Sequence, residues 1–211
     1  MKIRPDLEVI VFDLGNVLID IDYAKAMSTM KSALPIHLHP KVDQCYAAEF
    51  HKAYERGELD SATFRNEFRN YFEQDWSDNE VDALWNSLLG SLPAYRLDLV
   101  RQLKTHYQVA ILSNTNEIHI HAVEGMLAQE HEMDNFASLF DWVFYSHQIG
   151  LAKPDRAIYQ YLVDTVGVYP SQILFFDDLA ANIEGASALG IQSIRVKGPH
   201  TLLDFFADVY H

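Results

Sequence analysis

The sequence predicts an α/β protein built on a doubly wound, Rossmann-like parallel sheet of five strands. Five short apolar runs, rich in β-branched and aromatic residues, are typical of strands covered on both faces, and the first begins at Val9. From about residue 94 onward such runs alternate with stretches of helical spacing, an order that predicts right-handed crossovers and parallel strands. The chain between the first run and residue 92 contains no convincing strand, which indicates an inserted all-helical segment.

Composition restricts the possible partners of the chain. Its 211 residues are 49% hydrophobic, enough for one domain that carries a smaller insert. The formal net charge of -14 opposes nucleic-acid binding, which depends on lysine and arginine. Cys45 is the only cysteine, so an intrachain disulfide and a cysteine-rich zinc site are excluded. Because no signal-peptide pattern and no run of membrane-spanning length is found, we expect a cytoplasmic protein without a membrane partner.

The insert is predicted to span residues 21–91 and to contain four helices. They are expected over residues 23–34, over 41–54, from 60 or 61 to 72, and from 78 onward. Ser77 and Glu80 have the spacing of a capping box at the start of the last one. The aromatic residues of this segment are interpreted as packing between helices. Residues 1–20 and 92–211 then form the core domain.

In the second half of the chain each predicted strand is followed by a predicted helix. Strands are expected over residues 109–112, 142–145, 173–176 and 191–196. Helices are expected over 94–105, 117–129, 180–189 and 201–210, and another, opened by Pro154 and Asp155, should reach Val166.

Polar side chains follow three of the strands, at the edge where parallel sheets place their sites. They are Asp13, Ser113, Asn114, Asp177 and Asp178, with Lys153 on a neighbouring loop. Each has a plainer interpretation as a loop or cap residue, and Asp13 by itself is equally well explained as a turn cap. Their coincidence at one edge favours a common site.

Three carboxylates at one edge would repel one another unless a cation lies between them. Mg²⁺ fits best, because it prefers oxygen ligands and the sequence offers no thiolate or imidazole set that suits zinc. His119, His121 and His131 are the one visible histidine cluster, and because the first two point to different faces of a helix, we interpret them as a solvated surface.

Phosphoryl transfer is the chemistry that these residue types permit. With Mg²⁺ bridging to a phosphoryl group, Asp13 is placed to act as a nucleophile that forms an aspartyl-phosphate. Lys153 would neutralise charge on the phosphoryl oxygens, and Ser113 with the Asn114 backbone would hold them. Lys153 alone would be interpreted as an exposed loop lysine.

Four segments in the correct order make the chain resemble the haloacid dehalogenase superfamily of aspartate-nucleophile phosphatases. They are Phe12-Asp13-Leu14-Gly15-Asn16-Val17, Leu112-Ser113-Asn114, Lys153-Pro154, and Phe175-Phe176-Asp177-Asp178 with Asn182. The resemblance implies that residues 21–91 are the family's helical cap and that the strand of Asp13 lies between those of Ser113 and Asp177. It also implies that Asp13 is both nucleophile and Mg²⁺ ligand, that the Gly15 carbonyl and Asp178 are further ligands, and that Asp177 supports them.

Gly15 departs from the family pattern. Its phosphatases usually have a second aspartate there, which protonates the leaving group and later activates water, and losing such a group typically costs ~10²–10⁴-fold in rate. The residues of the first motif, together with Glu55-Arg56-Gly57-Glu58 in the insert and the segment from Asn182 to Ala186, make the chain similar to a bacterial branch of glucose-1-phosphate phosphatases. An anomeric hydroxyl leaves more easily without a proton donor. A water held by Asn16, or Asp20 or Asp22, would then replace the missing base.

We therefore expect a magnesium-dependent phosphatase acting on a small phosphorylated metabolite such as a sugar phosphate, with Arg56 as a candidate substrate contact. An exposed Arg56 paired with Glu55 or Glu58 is the plainer interpretation of that residue. Alternatives are a catalytically weakened binding protein, which Gly15 keeps open, a phosphomutase or a dehalogenase. A phospho-accepting receiver domain is disfavoured, because receivers have the acidic pair on the first strand.

Overall fold

The computed structural model describes residues 4–133 and 135–207, and its centre is a parallel sheet of five strands. The strands are β1 (Val9–Phe12), β2 (Gln108–Ser113), β3 (Trp142–Tyr145), β4 (Ile173–Asp177) and β5 (Gln192–Arg195). Their order across the sheet is β3-β2-β1-β4-β5, and all neighbours are parallel. The predicted fold class is confirmed, and β1 has the central place that the family resemblance implied.

Helices lie between and after these strands. Those of the insert are α1 (Tyr23–Ser32), α2 (His39–Val42), α3 (Glu49–Glu55), α4 (Ser61–Phe72) and α5 (Asp78–Asn86). Those of the core are α6 (Ala94–Leu103), α7 (Glu117–His131), α8 (Ser146–Ile149), α9 (Arg156–Val166), α10 (Ala180–Ala188) and α11 (Thr201–Ala207).

Strand β1 is buried on both faces because its side chains alternate between two hydrophobic layers. Ile10 and Phe12 pack into the layer that contains apolar residues of α6, α7 and α11. Val9 and Val11 pack into the layer formed with α9 and α10. All four side chains are fully buried, so the chain is still inside the molecule where it reaches Asp13.

The helical insert has a hydrophobic core of its own. Phe64, Phe68 and Phe72, spaced four residues apart on α4, are fully buried against Trp85 of α5 and Tyr54 of α3. The interpretation of this aromatic stripe as helix packing is confirmed. Helix α5 begins with the predicted capping box of Ser77 and Glu80.

Two chain segments join the insert to the core, and they run side by side. Ile21 and Leu89 form an antiparallel bridge, and the Asp20 N–H donates to the Ser91 carbonyl at 2.8 Å. Arg96, at the start of α6, pairs with Asp20 at 2.8 Å. The connection between the insert and the core is thus held by backbone hydrogen bonds and one ion pair.

The prediction of one continuous helix over residues 41–54 is wrong in part. The chain forms α2 and α3 instead, with a 3-10 turn at Cys45–Ala47 between them. Ala48 is extended, with ψ of 149°, which ends the turn and starts α3 in a new direction. Burial of Cys45 beside Met30 and a His51 contact to the Tyr46 carbonyl hold this break in place. Local spacing gave no sign of it, because Met30, against which Cys45 is buried, lies on another helix of the insert.

Two further predictions differ at the edges of elements. Pro154 does not open α9, since the helix begins at Arg156 and the Lys153-Pro154 peptide is cis. The short helix α8 was not predicted. The last predicted helix is found as far as Ala207, and residues 208–210 lie outside the described residues. No helix in the described residues has the length and apolar character needed to cross a bilayer.

Candidate active site

A cavity of about 280 Å³ lies at the carboxyl ends of β1, β2 and β4, where the helical insert faces the core. From the core it is lined mainly by residues that follow these strands, including Asp13, Gly15, Asn16, Ser113, Asn114, Lys153, Asp178 and Asn182. From the insert it is lined by Tyr23, Tyr46, His51 and Glu55, together with the apolar residues Ile21, Leu88 and Leu89. The sheet topology therefore brings most of the predicted site residues to one cavity.

Asp13 follows β1 directly, so the fully buried strand places its carboxylate inside the molecule. The side chain is 8% exposed, and its Oδ1 accepts a hydrogen bond from the Leu14 N–H at 2.7 Å. Burial raises the pKa of Asp13 to about 7, although Lys153 opposes the rise, and Asp177 adds to it. With a pKa near 7, this carboxyl is divided between its protonated and ionised forms at neutral pH.

Lys153 lies between two carboxylates and is almost completely buried. Its Nζ is 2.8 Å from Asp13 Oδ1 and 2.6 Å from Asp177 Oδ2. Burial disfavours the ammonium, but the two aspartates outweigh this effect and raise the pKa of Lys153. Asn114 holds its backbone, because its side chain donates to the Lys153 carbonyl at 2.8 Å and accepts from the Lys153 N–H at 2.9 Å.

The acidic pair at the end of β4 divides into a buried and a partly accessible member. Asp177 is fully buried, and its oxygens accept hydrogen bonds from Lys153, the Asn182 amide and the Leu179 N–H. Asp178 lines the cavity, and its Oδ2 accepts from Asn16 Nδ2 at 2.8 Å. Oxygen atoms of Asp13, Asp177 and Asp178 all lie within 4.8 Å of one another. This is a hard, oxygen-only donor set of the kind that suits Mg²⁺.

The remaining predicted site residues do not all reach the cavity. Ser113 is 2% exposed and lines it, as does Gly15. Arg56 does not line it, because its guanidinium pairs with Glu49 at 2.7 Å and with Glu58 at 2.6 Å. The geometry gives no support to Arg56 as a substrate contact; the plainer interpretation, an exposed ion pair, agrees with it except that Glu49 replaces Glu55.

The suggested replacements for the missing aspartate at Gly15 all have other hydrogen-bond or ion-pair partners. Asn16 donates to Asp178 and accepts from the Ile21 N–H at 3.2 Å. Asp20 pairs with Arg96 and accepts from the Ser91 hydroxyl at 2.6 Å. Asp22 caps α1 through the Lys25 N–H. Neither aspartate lines the cavity.

The prediction that His119 lies on a solvated surface is wrong. His119 is 8% exposed, not solvated, and stacks on Trp85 with ring centroids 5.2 Å apart. Burial lowers the pKa of His119 to about 4, so the ring is neutral near pH 7. His121 is exposed and His131 half-buried, so the three histidines form no common site.

His51 and Glu55 line the cavity and were missed as site residues. The only sequence signal was their spacing of four residues in a helix, which puts both side chains on one face. In the Glu-Arg-Gly-Glu segment the sequence favoured Arg56, the neighbour of Glu55, as the substrate contact.

Comparison with known proteins places this site in a family. The family model described as haloacid dehalogenase-like hydrolase matches residues 7–190. The D-ribitol-5-phosphate phosphatase of Bacteroides thetaiotaomicron is 27% identical over 187 residues, which cover 88% of this chain and 90% of that protein.

Solved structures agree over nearly the whole chain. A haloacid dehalogenase family enzyme from Bacteroides thetaiotaomicron superposes with a TM-score of 0.88 at 28% identity, covering 95% of this chain and 98% of that one. The same enzyme in complex with magnesium and inorganic phosphate gives a TM-score of 0.81 at 27% identity, covering 93% and 98%. A haloacid dehalogenase-like hydrolase from Porphyromonas gingivalis, at 23% identity over 97% and 98% of the two chains, shares the fold with a TM-score of 0.86.

Proposed function

The chain belongs to the haloacid dehalogenase-like hydrolases, and from this membership we propose that it hydrolyses small phosphorylated metabolites through an aspartyl-phosphate on Asp13. Sugar or polyol phosphates are the substrate class we favour. The phosphatase relative that covers most of the chain acts, by its name, on D-ribitol 5-phosphate. The structure of a related enzyme with magnesium and phosphate supports the same chemistry.

One observation supports the proposal above the others: Asp13, Lys153 and the acidic pair meet at a single cavity. Lys153 Nζ contacts Asp13 and Asp177, while the oxygens of three aspartates lie close enough to share one cation. A lysine and three carboxylates are a poor site for an apolar ligand. With Mg²⁺ bound among the carboxylates they would suit a phosphoryl group, whose oxygens need positive charge around them.

Mg²⁺ fits this donor set, and we propose Asp13, Asp178 and the Gly15 carbonyl as its ligands, with Asp177 in a supporting place. When bound, Mg²⁺ would withdraw charge from the phosphoryl oxygens. Because its oxygens already accept hydrogen bonds from Lys153, Asn182 and Leu179, Asp177 is suited to fixing Lys153.

The chain's own residues would divide the reaction between them. The Asp13 carboxylate attacks phosphorus, the bond to the leaving oxygen breaks, and an acyl phosphate forms, while the leaving oxygen takes a proton from a water molecule because Gly15 supplies no acid. Lys153 stays charged and neutralises a phosphoryl oxygen, and the Ser113 hydroxyl donates to another. Water then attacks phosphorus, which releases phosphate and restores Asp13. The helical insert acts as a cap that excludes bulk water during these steps.

The test is hydrolysis of p-nitrophenyl phosphate with Mg²⁺ present. We expect phosphate release that stops with EDTA and falls by at least ~10³-fold in Asp13→Asn, as loss of a nucleophile commonly does. Asp22→Asn is the matched control, since Asp22 only caps α1 and asparagine caps equally well.

Retained activity in Asp13→Asn would remove the nucleophile assignment. Saturable phosphate binding without turnover in the unmodified protein would instead favour the weakened binding protein.

A further inference from the structure

The part of the cavity formed by the insert has a chemistry unlike that of the phosphoryl site. We call Tyr23, Tyr46, His51 and Glu55 the helical wall. Tyr23 lies close enough to Glu55, Asp178 and Asp13 for all three to raise the pKa of its phenol, after burial, which is the largest cause. The helical wall therefore faces the same space as the proposed nucleophile. Whatever the phosphoryl group is attached to must lie against this wall.

His51 holds Glu55 in a defined position. Its Nε2 is 3.4 Å from Glu55 Oε1, and its Nδ1 lies 2.8 Å from the Tyr46 carbonyl. Both ring nitrogens are thus occupied. Burial opposes charge on Glu55, but the contact with His51 outweighs it and lowers the pKa of Glu55, so the carboxylate is ionised at neutral pH.

The helical wall has free hydrogen-bonding capacity. Within the described residues, Glu55 Oε2 has no hydrogen-bond partner, and the side chain is 24% exposed. The Tyr46 hydroxyl is buried, and no partner for it is found among residues 4–133 and 135–207. An ionised carboxylate oxygen and a phenol hydroxyl in one wall match the donors and acceptors of substrate hydroxyl groups.

Among the described residues that line the cavity, no cation is left for a second anionic group, because His51 already pairs with Glu55. Among the described residues that line it, Lys153 is the only lysine or arginine, and it already contacts Asp13 and Asp177. Arg56, the arginine next to Glu55, faces Glu49 and Glu58 instead. A substrate carboxylate or second phosphate at the helical wall would meet Glu55 without compensation, and like charges brought together in a partly buried site repel strongly.

We propose that Glu55, positioned by His51, binds hydroxyl groups of the substrate and rejects substrates with a second negative charge. The preferred substrates are then neutral polyol or sugar monophosphates. This inference rests on the proposed phosphatase function, which supplies the reaction by which the preference is measured. His51 is a positioning residue, because it acts through Glu55.

Two pairs of substrates that differ only in a terminal group test the proposal. They are glycerol 3-phosphate against 3-phosphoglycerate, and sorbitol 6-phosphate against 6-phosphogluconate, where a hydroxymethyl group replaces a carboxylate. In the unmodified enzyme we expect kcat/KM to favour the neutral member of each pair by at least ~10-fold, corresponding to one unfavourable charge contact. In Glu55→Gln the preference should shrink to within about 3-fold, because the charge that repels the anionic member is gone.

Two variants separate this role from a structural one. Glu58→Gln removes a charge three residues away that pairs with Arg56 outside the cavity, and it should keep the full preference. His51→Gln should raise KM for the neutral substrates more than it lowers kcat, because Glu55 is still present but no longer oriented. The melting temperature of each variant reports whether it is folded.

Several results would overturn the proposal. An unchanged preference in Glu55→Gln would make Glu55 structural, and loss of p-nitrophenyl phosphate hydrolysis in a folded Glu55→Gln would place it in the reaction itself. Faster turnover of phosphoethanolamine than of glycerol 3-phosphate would show that the wall selects an ammonium group. If the unmodified enzyme hydrolyses p-nitrophenyl phosphate without discriminating by charge, only this inference fails; if it hydrolyses no substrate, the phosphatase proposal fails with it.

Discussion

At the scale of single residues, the site is a balance of buried charges. Asp13, Asp177 and Asp178 contribute three carboxylates, against which Lys153 supplies one ammonium. The raised pKa of Asp13 is the physical sign of this imbalance, because burial and Asp177 make its ionised form costly. A divalent cation would remove it.

Individual residues of this cluster could be predicted to different degrees. Asp13 and Lys153 could be found only together with the polar residues at the other strand ends, because Asp13 alone is equally well explained as a turn cap and Lys153 alone as an exposed loop lysine. The role of Asn114 could not be found, since its side chain contacts the backbone of Lys153, 39 residues later.

His119 makes a residue-scale prediction about acid stability. Its folded pKa of about 4 lies below the unfolded value of 6.5, so the unfolded chain binds the proton more strongly between these values. The stability that neutral His119 provides is complete above pH 6.5 and is lost as the pH falls towards 4. From pH 7 to pH 5 this amounts to a loss on the order of 2 kcal/mol.

Urea unfolding in EDTA at both pH values measures this loss. His119→Gln should lower the difference in unfolding free energy between pH 7 and pH 5, whereas His121→Gln, at an exposed position of the same helix, should not. Equal pH dependence in the His119 variant and the unmodified protein would contradict the assignment.

At the scale of elements, the contact between α3 and α8 positions the helical wall. Gly57, just after α3, has φ of +70°, and a Cβ atom there would lie 2.0 Å from the His147 carbonyl oxygen. The chain can pass this close to α8 only without a side chain. Helix α3, with His51 and Glu55, therefore sits at a fixed distance from the core at this point.

Gly57→Ala tests this contact. Alanine is unfavourable at a positive φ, and its Cβ would also collide with the backbone of His147. We therefore expect a loss of about 3 kcal/mol or more in unfolding free energy. We also expect a higher KM, since α3 must move. Gly167→Ala is the matched control: its φ of +74° is similar, but its Cβ would have no atom within 4 Å, so about 1 kcal/mol should be lost and KM kept.

Urea denaturation and steady-state kinetics provide both readouts. Equal losses of stability in the two variants would show that the approach to His147 is not what restricts Gly57.

At the scale of the whole molecule, an acidic protein with a net charge of -14 places three of its carboxylates where the insert meets the core. A cation bound there adds to the stability of the folded state alone, because the unfolded chain does not hold these residues together. Binding of a cation at the site would therefore raise the free energy of unfolding of the whole fold.

We predict that Mg²⁺ raises the melting temperature, by about 5–10 °C at concentrations ~100-fold above its dissociation constant. Since the folded pKa of Asp13 is about 7 and that of the unfolded chain 3.8, the contribution of its proton to stability is lost as the pH rises through 7. Bound Mg²⁺ offsets that loss, so the increase should be larger at pH 8 than at pH 5.5, where Asp13 must first give up its proton.

Differential scanning fluorimetry at both pH values measures the increase, with NaCl at equal ionic strength as the control. An equal rise with NaCl, or the same rise in Asp13→Asn, would show that Mg²⁺ does not bind at this cluster.

The sequence by itself determined the sheet and the residues at its edge. Strand composition, helical spacing and strand-end polar residues are local properties, and order along the chain decides which strands can be parallel neighbours. Local patterns are therefore enough to predict that Asp13, Ser113, Lys153 and Asp178 share one edge of the sheet, where all four line the cavity.

Only the tertiary structure decided which side of the insert faces that cavity. The break between α2 and α3, the burial of His119 and the orientation of Glu55 rather than Arg56 towards the site all depend on contacts between segments far apart in sequence. Helical spacing in the sequence shows which residues share a face of a helix. Which face packs against the core depends on the free energy of contacts between distant segments, and this cannot be read from a short stretch of sequence.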